Sequence, residues 1–330
     1  MLRRTLAAAA IGALALPFGA SAQATSTGSG QPWPDKPVKL VLSQPPGSGP
    51  DNVARLLAER LARQWGQPIV IENKPGGQNT IGAQAAARAP ADGSTFYFGT
   101  TAALVTNAYL FKQLPYDPQK DFVPVGFVAR SPFAVLVKAD SPLKSIEELV
   151  ARSKAQPGRL SIGNEGPRTF GGMIARLFNA RAKTEANLVS YASTGVSAQD
   201  LIGGHVDSNV ADVASTAALV KQGRLRMLAT TSAKRVPGFD DVPALAELLP
   251  SVEMVGWFAV VAPAGTPRAA IERFNKDLNT LLAEPEVAQR IATIGPIAEA
   301  GMSPEQVGAF LRAEHARWAQ FTKEIGVLPE

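Results

Sequence analysis

A short loop rich in glycine and proline is the first part of this sequence that could bind a ligand. Residues 44–51, Gln-Pro-Pro-Gly-Ser-Gly-Pro-Asp, follow the apolar run Val38 to Leu42 and precede a helical pattern that ends at Gly66. The first amides of such a helix lack intrahelical partners, so an anion in the loop could accept their hydrogen bonds. Asp51 is the predicted N-cap.

The loop does not identify its anion. It contains one Gly-x-Gly, but neither the full Gly-x-Gly-x-x-Gly of dinucleotide-binding folds nor the Gly-Lys-Ser/Thr of a P-loop. Two interpretations are open from these residues: an anion site, or a tight turn whose glycines join a strand to a helix.

Few residues could support catalysis or metal binding. Cysteine is absent and there are two histidines, His205 in a predicted turn and His315 on the surface of a predicted helix. The nearest approach to a nucleophile elbow, Gly-Val-Ser-Ala-Gln at 195–199, lacks the second glycine. Asp51 and Asp212 could pair as acid and base, but they fit better as a helix cap and a loop residue. We therefore expect no enzyme, no metal site and no cofactor, with an exported hydrolase as an alternative.

The N-terminus predicts export. Two arginines, an apolar run and the sequence Ala-Ser-Ala-Gln-Ala at 20–24 resemble a secretory signal peptide, cleaved after Ala22 or Ala24. We assign residues 1–24 to the signal peptide and 25–32 to a linker. Without the two arginines of the signal peptide, the chain has an excess of about three positive charges. It has no run of Lys and Arg interleaved with aromatic residues, so nucleic acid is not an expected partner. We expect a soluble, exported and monomeric protein.

The rest of the chain alternates strand and helix patterns, which predicts an α/β fold with mostly parallel sheets. In both halves, strands end in Gly, Ser, Thr or Asn and are followed by a helix. Ligands bind beyond the carboxyl ends of such strands, so both sets of loops could face one cleft. Two apolar β runs at 123–129 and 133–137, around Ser131-Pro132, would lead to the second half. Met254 to Ala262 would return, and the C-terminal helices would pack on the first domain.

An ordered series of short motifs resembles one known family. The matching segments are 33–38, 45–51, 71–76, 91–93, 116–118, 121–122, 203–207, 225–229, 232–235, 241–243 and 262–267. They are similar to the tripartite tricarboxylate transporter receptors, the Bug-type periplasmic solute-binding proteins. The resemblance covers nearly the whole predicted mature chain, in the right order.

This resemblance implies a two-lobed binding protein of type II in the periplasm of a Gram-negative bacterium, a Venus flytrap with a hinge of two crossing strands. Domain 1 would comprise residues 33–130 and 256–330, and domain 2 residues 131–255. The cleft would capture a small mono- or dicarboxylate, which could be aromatic, for a membrane permease. A receptor that signals to a membrane sensor is the alternative. The implied ligand-binding positions are Gly47, Ser48, Gly49, Asp51, Asn79, Thr100, Asn164, Arg168, Thr169, Phe170, Tyr191, Ser193, Thr194, Gly195 and Asp212.

Three departures from the family pattern leave the ligand open. The usual Phe-Pro-Pro-Gly-Gly is Gln-Pro-Pro-Gly-Ser at 44–48, a common histidine is replaced by Phe170, and Pro-Tyr-Lys-Gly is Ser-Tyr-Ala-Ser at 190–193. Arg168 could pair with a ligand carboxylate or be a solvated loop residue. Phe170 could stack on an aromatic acid or pack against its own helix. Ser193 and Thr194 could bind a carboxylate and also cap a helix.

Overall fold

The computed structural model describes residues 33–249, 254–324 and 326–329, so the predicted signal peptide and linker lie outside the described residues. The strands are β1 (Val38–Leu42), β2 (Ile69–Asn73), β3 (Thr95–Thr100), β4 (Phe122–Lys138), β5 (Ser161–Asn164), β6 (Asn187–Ser190), β7 (Ser208–Asp212), β8 (Leu225–Thr230), β9 (Val255–Pro263) and β10 (Ile297–Ala298). The helices are α1 (Gly49–Trp65), α2 (Thr80–Ala87), α3 (Asn107–Leu110), α4 (Ile146–Ala155), α5 (Phe170–Ala182), α6 (Thr194–Gly203), α7 (Val213–Lys221), α8 (Leu245–Leu248), α9 (Arg268–Leu282), α10 (Pro285–Ile294) and α11 (Pro304–Glu324). A 3-10 turn (Gly77–Asn79) precedes α2, and a π-helical turn (Ala102–Thr106) precedes α3.

The strands form a curled mixed sheet in the order β2-β1-β3-β9-β4-β7-β5-β6, with β8 and β10 also paired to β4. β1, β2 and β3 are parallel, and β5 is parallel to both β6 and β7. Antiparallel pairings join these parallel sets to β4 and β9. The predicted α/β, two-lobed architecture is confirmed: the first lobe is built on β1–β3 and the second on β5–β8.

The crossing strands differ from the prediction in one respect. The two predicted runs around Ser131-Pro132 are a single strand, β4, which pairs with β9 from Phe122 to Pro132 and with β7 and β8 from Phe133 onward. Proline has no amide hydrogen to donate, and Pro132 lies where the partners of β4 change. The predicted return strand is confirmed as β9.

Helix α1 shows how local sequence sets an element at the site. Its apolar face, Val53, Leu56, Leu57 and Leu61, is buried against the first lobe. The predicted N-cap at Asp51 is wrong, because Ser48 caps the helix and its Oγ accepts the Asp51 amide at 3.4 Å. The predicted stop at Gly66 is confirmed by its left-handed conformation, with φ at 65°.

The C-terminal helix α11 packs against β4 and the π-helical turn of the first lobe. The prediction that His315 lies on the surface of this helix is wrong. Only 5% of His315 is exposed, and its Nδ1 lies 3.1 Å from the Tyr109 hydroxyl. Burial lowers the pKa of His315, because desolvation disfavours the imidazolium. Trp257 donates from Nε1 to Glu314 on the same helix at 3.0 Å.

Within the described ranges, no helix combines the length and the apolar character needed to cross a bilayer.

Candidate ligand-binding site

Two sets of strand ends define the candidate site. In the first lobe the parallel strands β1, β2 and β3 end at Leu42, Asn73 and Thr100 on one edge of the sheet. In the second lobe β5, β6 and β7 end in the same way, at Asn164, Ser190 and Asp212. Most predicted site residues lie in the loops that leave these two edges.

The first loop of the first lobe is held by Asp51. This fully buried carboxylate accepts the Gly47 amide at 2.8 Å, Arg55 Nε at 2.8 Å and Asn73 Nδ2 at 2.9 Å. Burial alone raises the pKa of Asp51, but the bonds from Arg55, Asn73 and Gly47 lower it overall. Asp51 thus fixes the shape of the loop that presents Gly47, Ser48 and Gly49.

The second loop is linked to the first by side chains. Asn79 has a left-handed backbone, with φ at 77°, and its Oδ1 accepts Gln44 Nε2 at 2.9 Å. Gln44 Oε1 and Thr100 Oγ1 are buried and have no hydrogen-bond partner within the part of the chain that the structure describes. Buried polar atoms without partners are uncommon, so these two oxygens are candidates for ligand or water contacts.

The loop before α5 is built around Asn164. Its Oδ1 accepts the Gly166 amide at 2.9 Å and its Nδ2 donates to the Val189 carbonyl at 3.3 Å, so this predicted ligand residue holds its own loop. Thr169 is the N-cap of α5 and accepts the Gly172 amide at 3.1 Å.

Glu165 lies at the candidate site but is not among the residues predicted from the sequence. Its Oε1 accepts the Gly171 amide at 3.3 Å, so the protein's own carboxyl lies at the N-terminus of α5. Its Oε2 is buried and has no hydrogen-bond partner among the described residues. Burial, with the neighbouring charge of Asp212, raises the pKa of Glu165 to about 7. An acidic residue just before a helix was the available signal, because carboxylates favour helix N-termini.

The N-terminus of α6 is more accessible. Ser193 is the N-cap, but its Oγ accepts the Val196 amide only at 3.4 Å. Gly195 is exposed, and the Ser193 Oγ is the sole atom within 4 Å of where a Gly195 Cβ would lie, backbone and chain neighbours aside. Tyr191, at the start of this loop, donates its amide to the Asn164 carbonyl at 2.8 Å, which joins the α5 and α6 loops.

Asp212 brings the two lobes together. It caps α7, with Oδ1 accepting the Ser215 amide at 2.8 Å, and burial raises its pKa. The same Oδ1 lies 3.3 Å from where a Cβ on Gly49 would be, and Ala214 lies closer still. Predicted residues from both lobes, Gly49 and Asp212, are therefore in contact.

Arg168 and Phe170 lie toward the C-terminal helix. Phe170 is 6% exposed, with its ring centroid 5.1 Å from that of Phe133 and 5.7 Å from that of Trp318. The Arg168 guanidinium lies over the Phe111 ring of the first lobe, at 5.1 Å from the centroid. Arg168 also lines a cavity of about 240 Å³ that contains no other predicted site residue; its lining is Leu110, Pro167, Arg168, Arg176, Gly326, Val327 and Leu328.

Sequence comparison decides the family. The family described as "Tripartite tricarboxylate transporter family receptor" matches residues 53–327. The chain belongs to this family. The predicted resemblance is thereby confirmed, and the tripartite tricarboxylate transporter receptors are a family of periplasmic solute-binding proteins.

Individual relatives agree with this assignment. The receptor is 31% identical to "Protein BugT" of Bordetella pertussis over 311 residues, 94% of this chain and 95% of that protein. It is similar to the structure of "R. palustris Rpa4515 with adipate", with a TM-score of 0.86 and 32% identity, covering 90% of this chain and 100% of that one. It is also similar to "MatC (Rpa3494) from Rhodopseudomonas palustris with bound malate", with a TM-score of 0.80 and 27% identity, covering 88% and 99%.

Across residues 33–249, 254–324 and 326–329, no three histidine, aspartate or glutamate side chains lie close enough together to hold a metal ion.

Proposed function

We propose that this receptor captures a small mono- or dicarboxylate between its lobes, without converting it, and delivers it to a membrane permease of the tripartite type. It would reach the periplasm by means of the predicted N-terminal signal peptide. The lobes correspond to domain 1, residues 33–130 and 256–330, and domain 2, residues 131–255.

One observation supports this proposal most strongly: two edges of strand ends, one from each lobe, meet where Gly49 contacts Asp212 and Ala214. Buried side-chain oxygens that lack hydrogen-bond partners in the described part of the chain lie on both edges, at Gln44 and Thr100 in one lobe and Glu165 in the other. Structures of relatives with adipate and malate support a carboxylate as the ligand class.

The helix N-termini differ in what they offer a carboxylate. At three helix N-termini, side chains of the protein already accept hydrogen bonds from the backbone amides. The acceptors are Ser48 and Asp51 at α1, Thr169 and Glu165 at α5, and Asp212 at α7. The N-termini of α5 and α7 are thus already occupied by the protein's own carboxyls. We therefore place the ligand carboxylate at the N-terminus of α6, against Ser193, Thr194 and Gly195, where the cap is weakest and the glycine exposed.

The other predicted positions surround this point. Gly47, Ser48, Gly49, Asn79 and Thr100 would face the ligand from the first lobe. Asn164, Thr169, Tyr191 and Asp212 would shape the second lobe. Arg168 would pair with a ligand carboxylate or, as its position over Phe111 favours, hold the lobes together.

A thermal-shift screen tests the ligand class. The purified receptor is heated with mono- and dicarboxylates, amines and neutral sugars, each with and without a chelator. A ligand at one hundred times its Kd stabilises the folded state by about 2.7 kcal/mol, which gives a readily measured rise in Tm. We expect carboxylates to raise the Tm and the chelator to make no difference.

A matched pair of variants tests the position of the carboxylate. Replacing Ser193 and Thr194 by Ala and Val removes two hydroxyls at α6, whereas Ser48→Ala removes one at α1. We expect the α6 variant to lose most of the affinity.

Stabilisation by sugars or amines alone would refute the carboxylate proposal, and unchanged affinity in the α6 variant would refute only its placement.

A receptor that reports to a membrane sensor would bind the same ligand and close in the same way. Co-purification of the receptor with a permease subunit from detergent-solubilised membranes distinguishes transport from sensing.

A further inference from the structure

Ala214, the second residue of α7 in the second lobe, is held between two glycines of the first lobe. A Cβ on Gly49 would lie 2.5 Å from the Ala214 Cβ. A Cβ on Gly295, just after α10, would lie 2.8 Å from the Ala214 amide nitrogen and 2.9 Å from its Cα. Carbon atoms that are not bonded pack at about 3.5 Å or more, so neither position has room for a side chain while the lobes are in this arrangement.

The two glycines have different reasons to be glycine. Gly295 has φ at 129°, a conformation that favours glycine regardless of its neighbours. Gly49 has no such backbone constraint, because it is the first residue of a right-handed helix. The three nearest atoms around its missing Cβ, outside its own helix backbone and chain neighbours, all belong to Asp212 and Ala214. The space that a side chain at Gly49 would need is therefore occupied by residues of the other lobe.

We propose that the arrangement of the lobes described here is the closed one, and that the contact between Gly49 and Ala214 sets it and thereby tunes ligand affinity without Ala214 touching the ligand. The inference rests on the proposed capture of a ligand between the lobes. A ligand that binds the closed form has an apparent affinity proportional to the closed fraction. A methyl group that prevents this contact lowers the closed fraction and weakens binding.

Two substitutions, made singly and together, test this inference. Gly49→Ala adds a Cβ that collides with Ala214, and Ala214→Gly removes the Cβ with which it collides. The double variant exchanges the two residues and removes the 2.5 Å collision, which leaves Asp212 Oδ1, at 3.3 Å, as the nearest of the three atoms to the new Cβ. Ala218→Gly is the matched control, because this exposed residue lies one turn later on α7 and its replacement carries the same helix penalty.

Two readouts are used. The chain has no native cysteine, so cysteines introduced at the exposed positions Val70 and Glu185, one on each lobe, can be labelled for distance measurement by electron spin resonance. The distances between the two labels are recorded with and without adipate at about 1 mM, and adipate affinity is measured by calorimetry.

We expect Gly49→Ala to shift the distances toward longer values and to weaken adipate about tenfold or more. Ala214→Gly and Ala218→Gly should stay within about threefold of the parent, and the double variant should recover the parent's distances and affinity. A lost ligand contact at Gly49 could not be repaired by Ala214→Gly, so recovery identifies the contact between the lobes.

The inference is overturned if Gly49→Ala leaves the distances unchanged both with and without adipate, or if the double variant behaves like Gly49→Ala alone. If the parent binds no acid of the screen but Gly49→Ala lengthens the ligand-free distances and the double variant restores them, the proposed function and the effect on affinity fail, whereas the contact between the lobes stands.

Discussion

Replacing Glu165 by Gln should make the ligand-free receptor more stable at neutral and alkaline pH. Glu165 lies at the N-terminus of α5 with its Oε2 buried, and its pKa is raised from an ordinary value of 4.5 to about 7 by burial and by Asp212. Folding therefore favours the protonated form. The contribution of this group to stability is full below pH 4.5 and is lost as the pH rises to about 7.

The magnitude follows from the shift. The rise of the pKa from 4.5 to about 7 corresponds to about 3 kcal/mol, since each pKa unit is worth about 1.36 kcal/mol. Gln keeps an acceptor for the Gly171 amide but places an NH₂ group where Oε2 lacks a partner in the described chain, which costs about 1 kcal/mol. Partial solvent screening of Glu165 reduces the gain further, so we expect about 1–2 kcal/mol at pH 8.

Urea denaturation of the parent and Glu165→Gln at pH 5, 6, 7 and 8 measures this difference. Glu185→Gln, an exposed substitution of the same type in the same lobe, is the matched control. The curves of parent and variant should separate progressively above pH 5. The reasoning is refuted if Glu165→Gln is no more stable than the parent at pH 8 and both show the same slope with pH.

Three further substitutions test other contacts. Arg168→Ala removes a cation–π contact with Phe111 that is worth about 0.5–1 kcal/mol. The affinity for the carboxylate ligand, measured by calorimetry, should therefore fall about two- to fivefold. A loss above tenfold would instead show that Arg168 pairs directly with the ligand carboxylate. Asp51→Ala removes the acceptor of three hydrogen bonds, each worth about 1 kcal/mol, and should lower the free energy of unfolding by about 3 kcal/mol in urea titrations, whereas a loss below 1 kcal/mol would contradict its role as the anchor of the loop. Trp257→Phe leaves the Glu314 carboxylate without its indole donor and should lower stability by about 1–3 kcal/mol, measured as a lower Tm at unchanged ligand affinity.

Local patterns were sufficient to predict most of the fold. The apolar run Leu225–Thr230 forms a strand and the amphipathic segment Arg268–Leu282 forms a helix, as strong apolar periodicity and clear turn residues favour. Ser145 caps α4 as its capping-box pattern predicts, with the Glu148 amide donating to its Oγ at 3.2 Å.

The errors arose where distant residues decide between local alternatives. Ser48 and Asp51 were both plausible caps for α1, and Asp51 is taken up instead by Asn73, which follows 22 residues later. The position of His315 depends on Tyr109, 206 residues away, and helical periodicity alone cannot reveal that contact. The cap and the histidine could therefore not be settled from sequence spacing.

The candidate site was predictable in outline only. Strand ends followed by helices indicated which loops would face the cleft, and those loops do leave the two edges of the sheet. Which helix N-termini are already occupied by the protein's own side chains depends on rotamers and packing. The hydrogen bond of Glu165 at α5 follows from packing within the second lobe, and the contact of Ala214 with Gly49 is visible only once the lobes are in place.

The unbroken course of β4 has a consequence for how the molecule comes apart. The strand β4 is hydrogen-bonded to β9 and β10 along its first part and to β7 and β8 along its second part. Neither half of the molecule can therefore unfold without breaking hydrogen bonds of this shared strand. Heating should therefore produce one calorimetric peak for the whole receptor, and an excised half would expose an unpaired edge prone to self-association.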